Sequence, residues 1–104
     1  MTDVVLVFCT CENEAEGEGI ARALVQERLA ACVNILPPVR SIYRWKNAIE
    51  DAREILLLIK STEERLPALR DRIIALHSYQ TPEIIAIPVA GGSDKYLSWL
   101  REQV

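Results

Sequence analysis

The strongest constraint on the fold lies between Val39 and Ser61, where two extended arms meet at Lys46-Asn47-Ala48. The first arm, Val39-Arg40-Ser41-Ile42-Tyr43-Arg44-Trp45, alternates, with Val39, Ser41, Tyr43 and Trp45 on one face and Arg40, Ile42 and Arg44 on the other. Asparagine tolerates the left-handed backbone of a tight turn, and the chain then returns from Ile49 to Ser61, wholly apolar from Ile55 to Ile59. That pairing is a long hairpin. An arm of about 14 residues runs roughly 46 Å, whereas a helix of about 14 residues covers only roughly 21 Å. The hairpin therefore overhangs any helix packed on it, and the rest of the chain must be arranged around it.

The flanking segments supply what such a hairpin packs against. Val4 to Cys9 is a continuous apolar and β-branched run, the pattern of a central strand buried on both faces. Glu12-Asn13-Glu14-Ala15-Glu16-Gly17-Glu18 then places carboxylates in the first turn of a helix, with Asn13 as its N-cap. Ile20, Ala23, Leu24 and, a turn on, Ala30 or Ala31 form the apolar stripe of that helix. Gly17 and Gly19 weaken its start. Ala31 to Ile35 is apolar again and ends at Pro37-Pro38, tolerated only at an edge or bulge, so this strand bends and resumes at Val39. After the hairpin, Thr62-Glu63-Glu64-Arg65-Leu66-Pro67 opens a second amphipathic helix with a threonine or serine cap, its apolar side being Leu66, Leu69, Ile73 and Leu76. Ile84 to Val89 is the next strand, Gly91-Gly92 ends it, and Ser93 or Asp94 caps a short last helix carrying Tyr96, Leu97, Trp99 and Leu100. This order predicts an α+β, ferredoxin-like βαββαβ domain over residues 1–104, with an antiparallel sheet, a long hairpin between its second and third strands and a C-terminal helix.

A chain of 104 residues can build one modest core without disulfides or a metal. Its 12 basic and 15 acidic side chains leave a formal charge of -3, so it has no electrostatic footprint for nucleic acid or an anionic membrane. Three cysteines, an odd number without dense spacing, suit a reducing compartment. Asp3 stands where a signal peptide would carry basic residues, and the apolar run after it is too short to span a bilayer. A cytoplasmic, soluble protein is expected. The overhanging hairpin, with Val39, Ile42, Tyr43, Trp45 and Ile49, presents a contiguous apolar surface that another copy of the chain should cover. Strand addition would also quench the unpaired edges, and closed symmetry is the expected outcome.

Chemistry concentrates where the second helical pattern becomes extended, at Leu76-His77-Ser78-Tyr79-Gln80-Thr81-Pro82-Glu83, which holds the only histidine. Cys9 offers a thiolate and His77 an imidazole, ligand types accepted by Cu(I), Cu(II) and Zn(II). Each has a plainer reading: Cys9 as a small buried hydrophobe, and His77 as an imidazolium capping the negative end of its helix. Cys11 shares the strand face of Cys9 if the strand persists that far, making a Cys-x-Cys chelate, although zinc spacing usually leaves two or more residues between cysteines. Cys32, in an apolar strand, reads as core. Glu83 enters an otherwise apolar strand and needs a cationic partner, for which Lys60 is available. With Tyr79, Tyr43 and Trp45 nearby, that pair makes an intersubunit cleft for a small anion or an ion, or simply an interface salt bridge that fixes register. Trp45 and Trp99 suit interface and core packing. The chain has no Gly-rich phosphate loop, nucleophile elbow or carboxylate pair with a histidine base, so it reads as no enzyme.

Taken in order, Cys9-Thr10, Leu29-Ala30-Ala31-Cys32-Val33-Asn34, Tyr43-Arg44-Trp45, Leu58-Ile59-Lys60, the His77 to Pro88 block and Tyr96-Leu97-Ser98-Trp99-Leu100 resemble the CutA family of divalent-cation tolerance proteins. The resemblance runs from Val4 to Leu100. It implies a ferredoxin-like subunit in a homotrimer similar in architecture to the PII signalling proteins, and a capacity to bind copper and other divalent metals. Metal binding would transfer to Cys9 and His77. The alternative is a PII-like regulatory or scaffold module that binds a small anionic metabolite or a protein partner at clefts lined by Lys60, Tyr79 and Glu83. Three positions depart from the family pattern: Ser78 where proline often follows the histidine, Leu76 where some members carry a second histidine, and Asn47 where the turn often has glycine.

Overall fold

The computed structural model describes residues 2–104. Its elements are β1 (Val4–Cys11), α1 (Glu14–Gln26), β2 (Cys32–Ile35), β3 (Val39–Trp45), β4 (Ala48–Thr62), α2 (Leu66–Leu76), β5 (Ile85–Pro88) and α3 (Asp94–Gln103). The sheet runs β2-β4-β1-β5, with β3 pairing the far half of β4, and every pairing is antiparallel. With β2 and β3 counted as one strand interrupted at the prolines, since both pair β4 in succession, this is the ferredoxin-like βαββαβ plan with an added C-terminal helix.

The 15-residue β4 is the spine. Its C-terminal half pairs β1, from Cys11↔Ile55 to Val4↔Thr62, and β2, from Ile35↔Leu57 to Cys32↔Lys60. The N-terminal half pairs β3, from Val39↔Glu54 to Trp45↔Ala48. Lys46 and Asn47 alone form the turn, both at positive φ (48° and 66°), the conformation that continues the twist of the flanking strands. Between β2 and β3 the two prolines interrupt the ladder, while Leu36 N–H still reaches Leu56 O at 3.0 Å.

Alternation sorts the sheet into two faces. Val5, Val7, Cys9 and Cys11 of β1 join Ile55, Leu57 and Ile59 of β4 beneath Ile20 and Leu24 of α1 and Leu69 and Ile73 of α2. Gly17 permits that approach: a Cβ there would stand 3.3 Å from Ile55 Cγ2. On the opposite face Val4 packs with Ala31 and with Leu97 and Leu100 of α3. Leu6, Phe8, Leu56 and Leu58 on that face are only half-buried, and Ile85 and Ile87 of the edge strand β5 are 56% and 48% exposed.

Several boundaries differ from those the sequence suggests. Strand β1 persists two residues beyond Cys9, because Thr10 and Cys11 still pair Leu56 and Ile55. Helix α1 stops at Gln26, short of the alanines, and it buries Ala21 where Ala23 is only half-buried. No threonine or serine caps α2: Thr62 remains in the β4 ladder, Glu63 N–H bonds Asp3 O at 2.8 Å, and the helix starts from Arg65 with Pro67 in its first turn. Strand β5 is confined to Ile85–Pro88, which leaves Glu83 in the preceding loop.

Candidate metal centre and the adjoining cleft

The end of β1 is where the sheet runs out of partners on one side. Strand β5 pairs Val5 through Phe8 and goes no further. Beyond it the Thr10 carbonyl accepts from Nε2 of His77 at 2.7 Å. Helix α2 delivers that ring: His77 is its C-cap, N–H bonded to Ile73 O at 2.9 Å, with extended backbone that turns the chain away. Nδ1 accepts from Tyr79 N–H at 3.0 Å, so the ring carries its hydrogen on Nε2. The residue is 9% exposed, and its ring lies 4.7 Å from that of Tyr79. It thus serves β1, not the charge at the end of its own helix.

Glu16 fixes the loop after His77. Asn13 Oδ1 caps α1 by accepting from Glu16 N–H at 2.8 Å, which places the Glu16 carboxylate between the Glu12 amide (3.3 Å) and the Ser78 amide (2.9 Å). Burial opposes its ionisation, but the hydrogen bonds from Ser78 and Glu12 outweigh that and hold the carboxyl below its usual range.

Beneath His77 lie Cys9 and Cys11, both fully buried and facing α1 and α2. One ligand atom from each of Cys9, Cys11 and His77 lies within 4.8 Å of the other two. The Cys9 thiol is pushed up first by its hydrogen bond with Cys11 and then by burial, while the same hydrogen bond draws Cys11 down. The pair therefore releases a first proton much more readily than a second. Two sulfurs and an imidazole nitrogen form a donor set that fits soft and borderline metal ions. All three cysteines are free thiols; half-buried Cys32 pairs with Lys60 on the opposite face and stands apart from this group.

The aromatic and acidic residues gather elsewhere. A cleft of about 730 Å³ lies between the hairpin and the loop after α2, lined among others by Thr10, Ile42, Tyr43, Trp45, Glu54, Tyr79 and Glu83. Tyr79 Oη donates to Glu54 Oε2 at 2.7 Å. Burial and then this carboxylate push the Tyr79 hydroxyl up, and burial followed by Glu54 raises Glu83. Lys60 does not line the cleft: its Nζ is 3.4 Å from Tyr96 Oη and 5.6 Å from the Tyr96 ring centre, against α3. The structure thus brings Tyr43, Trp45, Tyr79 and Glu83 together and leaves Lys60 out.

Sequence reasoning overlooked Glu54 and Thr10. Glu54 adjoins the apolar run Ile55 to Ile59, the one signal the sequence carries for it; its burial, at 6% exposure, emerges only in the fold. Thr10 acts through its carbonyl, which no side-chain pattern reveals.

Comparison with known proteins agrees with the fold. The family model for the CutA1 divalent ion tolerance protein matches residues 5–103. The divalent-cation tolerance protein CutA of Thermus thermophilus is 51% identical over 102 residues, covering 98% of this chain and 97% of that protein. Protein CutA, chloroplastic, of Arabidopsis thaliana is 44% identical over 97 residues, or 93% of this chain, which spans about half (53%) of that longer relative. The crystal structure of CutA from the phytopathogen Xylella fastidiosa superposes with a TM-score of 0.95 at 47% identity, covering 98% of each chain.

Proposed function

The chain belongs to the CutA1 divalent ion tolerance family, and on that premise we propose that it is a non-enzymatic homotrimer that takes up copper or another divalent ion through Cys9 and His77. The observation that carries the reading is the meeting of these two side chains behind the end of β1, from elements 68 residues apart in the chain (77 minus 9). When bound, the ion would need no chemistry from the protein beyond capture. The three free thiols suit a reducing cytoplasm, where we place the protein, and no helix among the described residues is long and apolar enough to cross a membrane.

Calorimetric titration with Cu(II) and Zn(II) tests the site. Uptake by the parent that is lost in Cys9→Ser and His77→Ala supports it; variants that bind as the parent does refute the assignment. Native mass spectrometry reads subunit number and bound metal together.

A second reading, a ligand-binding module resembling PII only in architecture, is favoured by the size of the cleft and by Tyr43 and Trp45 on its wall. Its lining holds two carboxylates and no lysine or arginine. A small anion would require positive charge from a second copy, so a thermal-shift screen separates the readings by whether anionic metabolites or metal ions stabilise the protein.

A further inference from the structure

Cys11 lies on the same face of β1 as Cys9, and both thiols are fully buried. We propose that Cys9 and Cys11 form a dithiolate seat for a soft, monovalent, closed-shell cation of the Cu(I) class, with Cys11 a more important ligand than His77. This rests on the reading that the locus takes up a metal ion, and names the ion it prefers.

Four observations support the assignment. First, both nitrogens of His77 are already engaged, by Thr10 O at 2.7 Å and Tyr79 N–H at 3.0 Å, so an ion gains the imidazole only by displacing a hydrogen bond. The thiols have weaker claims on them: they hydrogen-bond each other, and Cys9 Sγ reaches a backbone acceptor, Thr10 O, only at 3.8 Å. Second, residues i and i+2 of an extended strand are roughly 6.6 Å apart, at the upper edge of the span of about 4.4–6.8 Å that a disulfide bridges. A disulfide there would sit at its geometric limit, and both residues are free thiols. Third, the two sulfurs lie within 4.8 Å of each other, close enough for one ion to touch both, since metal–sulfur bonds are roughly 2.3 Å. Fourth, the group contains no carboxylate, and thiolates select Cu(I) where oxygen ligands select hard ions.

Capture exchanges two S–H bonds for two Cu–S bonds. Two protons leave to solvent, and no electron is transferred.

Anaerobic competition for Cu(I) against the chromophoric chelator bicinchoninate tests the proposal on the full chain. The parent should hold one Cu(I) per chain, and calorimetry in buffers of different ionisation enthalpy should read two protons released per ion. Cys11→Ala should weaken binding by more than the about 10–100-fold that loss of an outer-shell partner costs, whereas His77→Gln should weaken it by less than about tenfold. Cys11→Val, which refills the volume, guards against a loss of fold and should weaken binding as the alanine variant does. Parent-like affinity in both Cys11 variants overturns the proposal and leaves metal uptake through Cys9 and His77 standing. A parent that ignores Cu(I) but takes up Cu(II) or Zn(II), with loss in Cys9→Ser, overturns the ion class alone. Failure to bind any of the three ions overturns both readings.

Discussion

Ser61 has no exposed surface, and its hydroxyl donates to the Leu29 carbonyl at 2.6 Å, tying the turn after α1 to the spine strand. Truncation would strand a buried acceptor, so Ser61→Ala should cost about 1–3 kcal/mol in urea unfolding. Glu83 offers the opposite case. Burial and then Glu54 raise its ionisation above the ordinary carboxylate value of 4.5, so its folded form favours the proton. The stability this contributes is fully present below the ordinary value and is lost as pH rises through the raised one. The side chain is largely exposed, so solvent screens the effect: Glu83→Gln should raise the melting temperature only slightly at pH 7 and leave it unchanged near pH 4, read by thermal unfolding across that range. The chemistry of Cys9, His77 and Glu83 was legible in the sequence as residue types. The partners were not: the hydrogen bond from His77 to a backbone carbonyl 67 positions away depends on where β5 stops.

At the scale of elements, the end of α1 shows how local geometry decides a boundary. Arg28 adopts φ 57°, Arg28 N–H bonds Val25 O at 3.2 Å, and Leu29 N–H bonds Leu24 O at 2.9 Å while both leucines enter the core. This is a Schellman termination with an arginine in the position that favours glycine. Arg28→Gly should stabilise the protein by up to about 1 kcal/mol, since a left-handed residue bearing a Cβ costs about 1–2 kcal/mol, offset in part by the entropy of glycine. Denaturant midpoints at fixed protein concentration check it. The hairpin turn obeys the same rule: Asn47→Val should destabilise by about 1–2 kcal/mol, and Asn47→Gly should not. Periodicity located every strand and helix, because apolar alternation and helical stripes reflect burial directly. It placed the start of α1 at its Asn13 cap and the end of α2 before His77, but misplaced the end of β1, the end of α1, the start of α2 and both ends of β5, where ladder pairing and the closure after α1 override the local signals. Thr62 looks like a helix cap in sequence, but its ladder partner Val4 retains it in the sheet.

For the whole molecule, the sheet leaves one face incompletely covered, with Ile85 and Ile87 exposed beside half-buried Leu6, Phe8 and Leu58. If a homotrimer closes over it, Ile85→Arg combined with Ile87→Glu should produce folded single subunits, shown by sedimentation at a parent-like circular dichroism spectrum. Unchanged sedimentation would place the interface elsewhere. The elongated shape, 44 × 25 × 24 Å, comes from β4, which serves three partners in turn. Its parity is therefore common property: a residue added or lost within it would turn over every side chain beyond that point, exchanging greasy for wet against two neighbours at once. Viable length variants of this protein should accordingly differ by an even number of positions, matched across both arms and gathered at the hairpin tip, where Lys46 and Asn47 answer to no third strand.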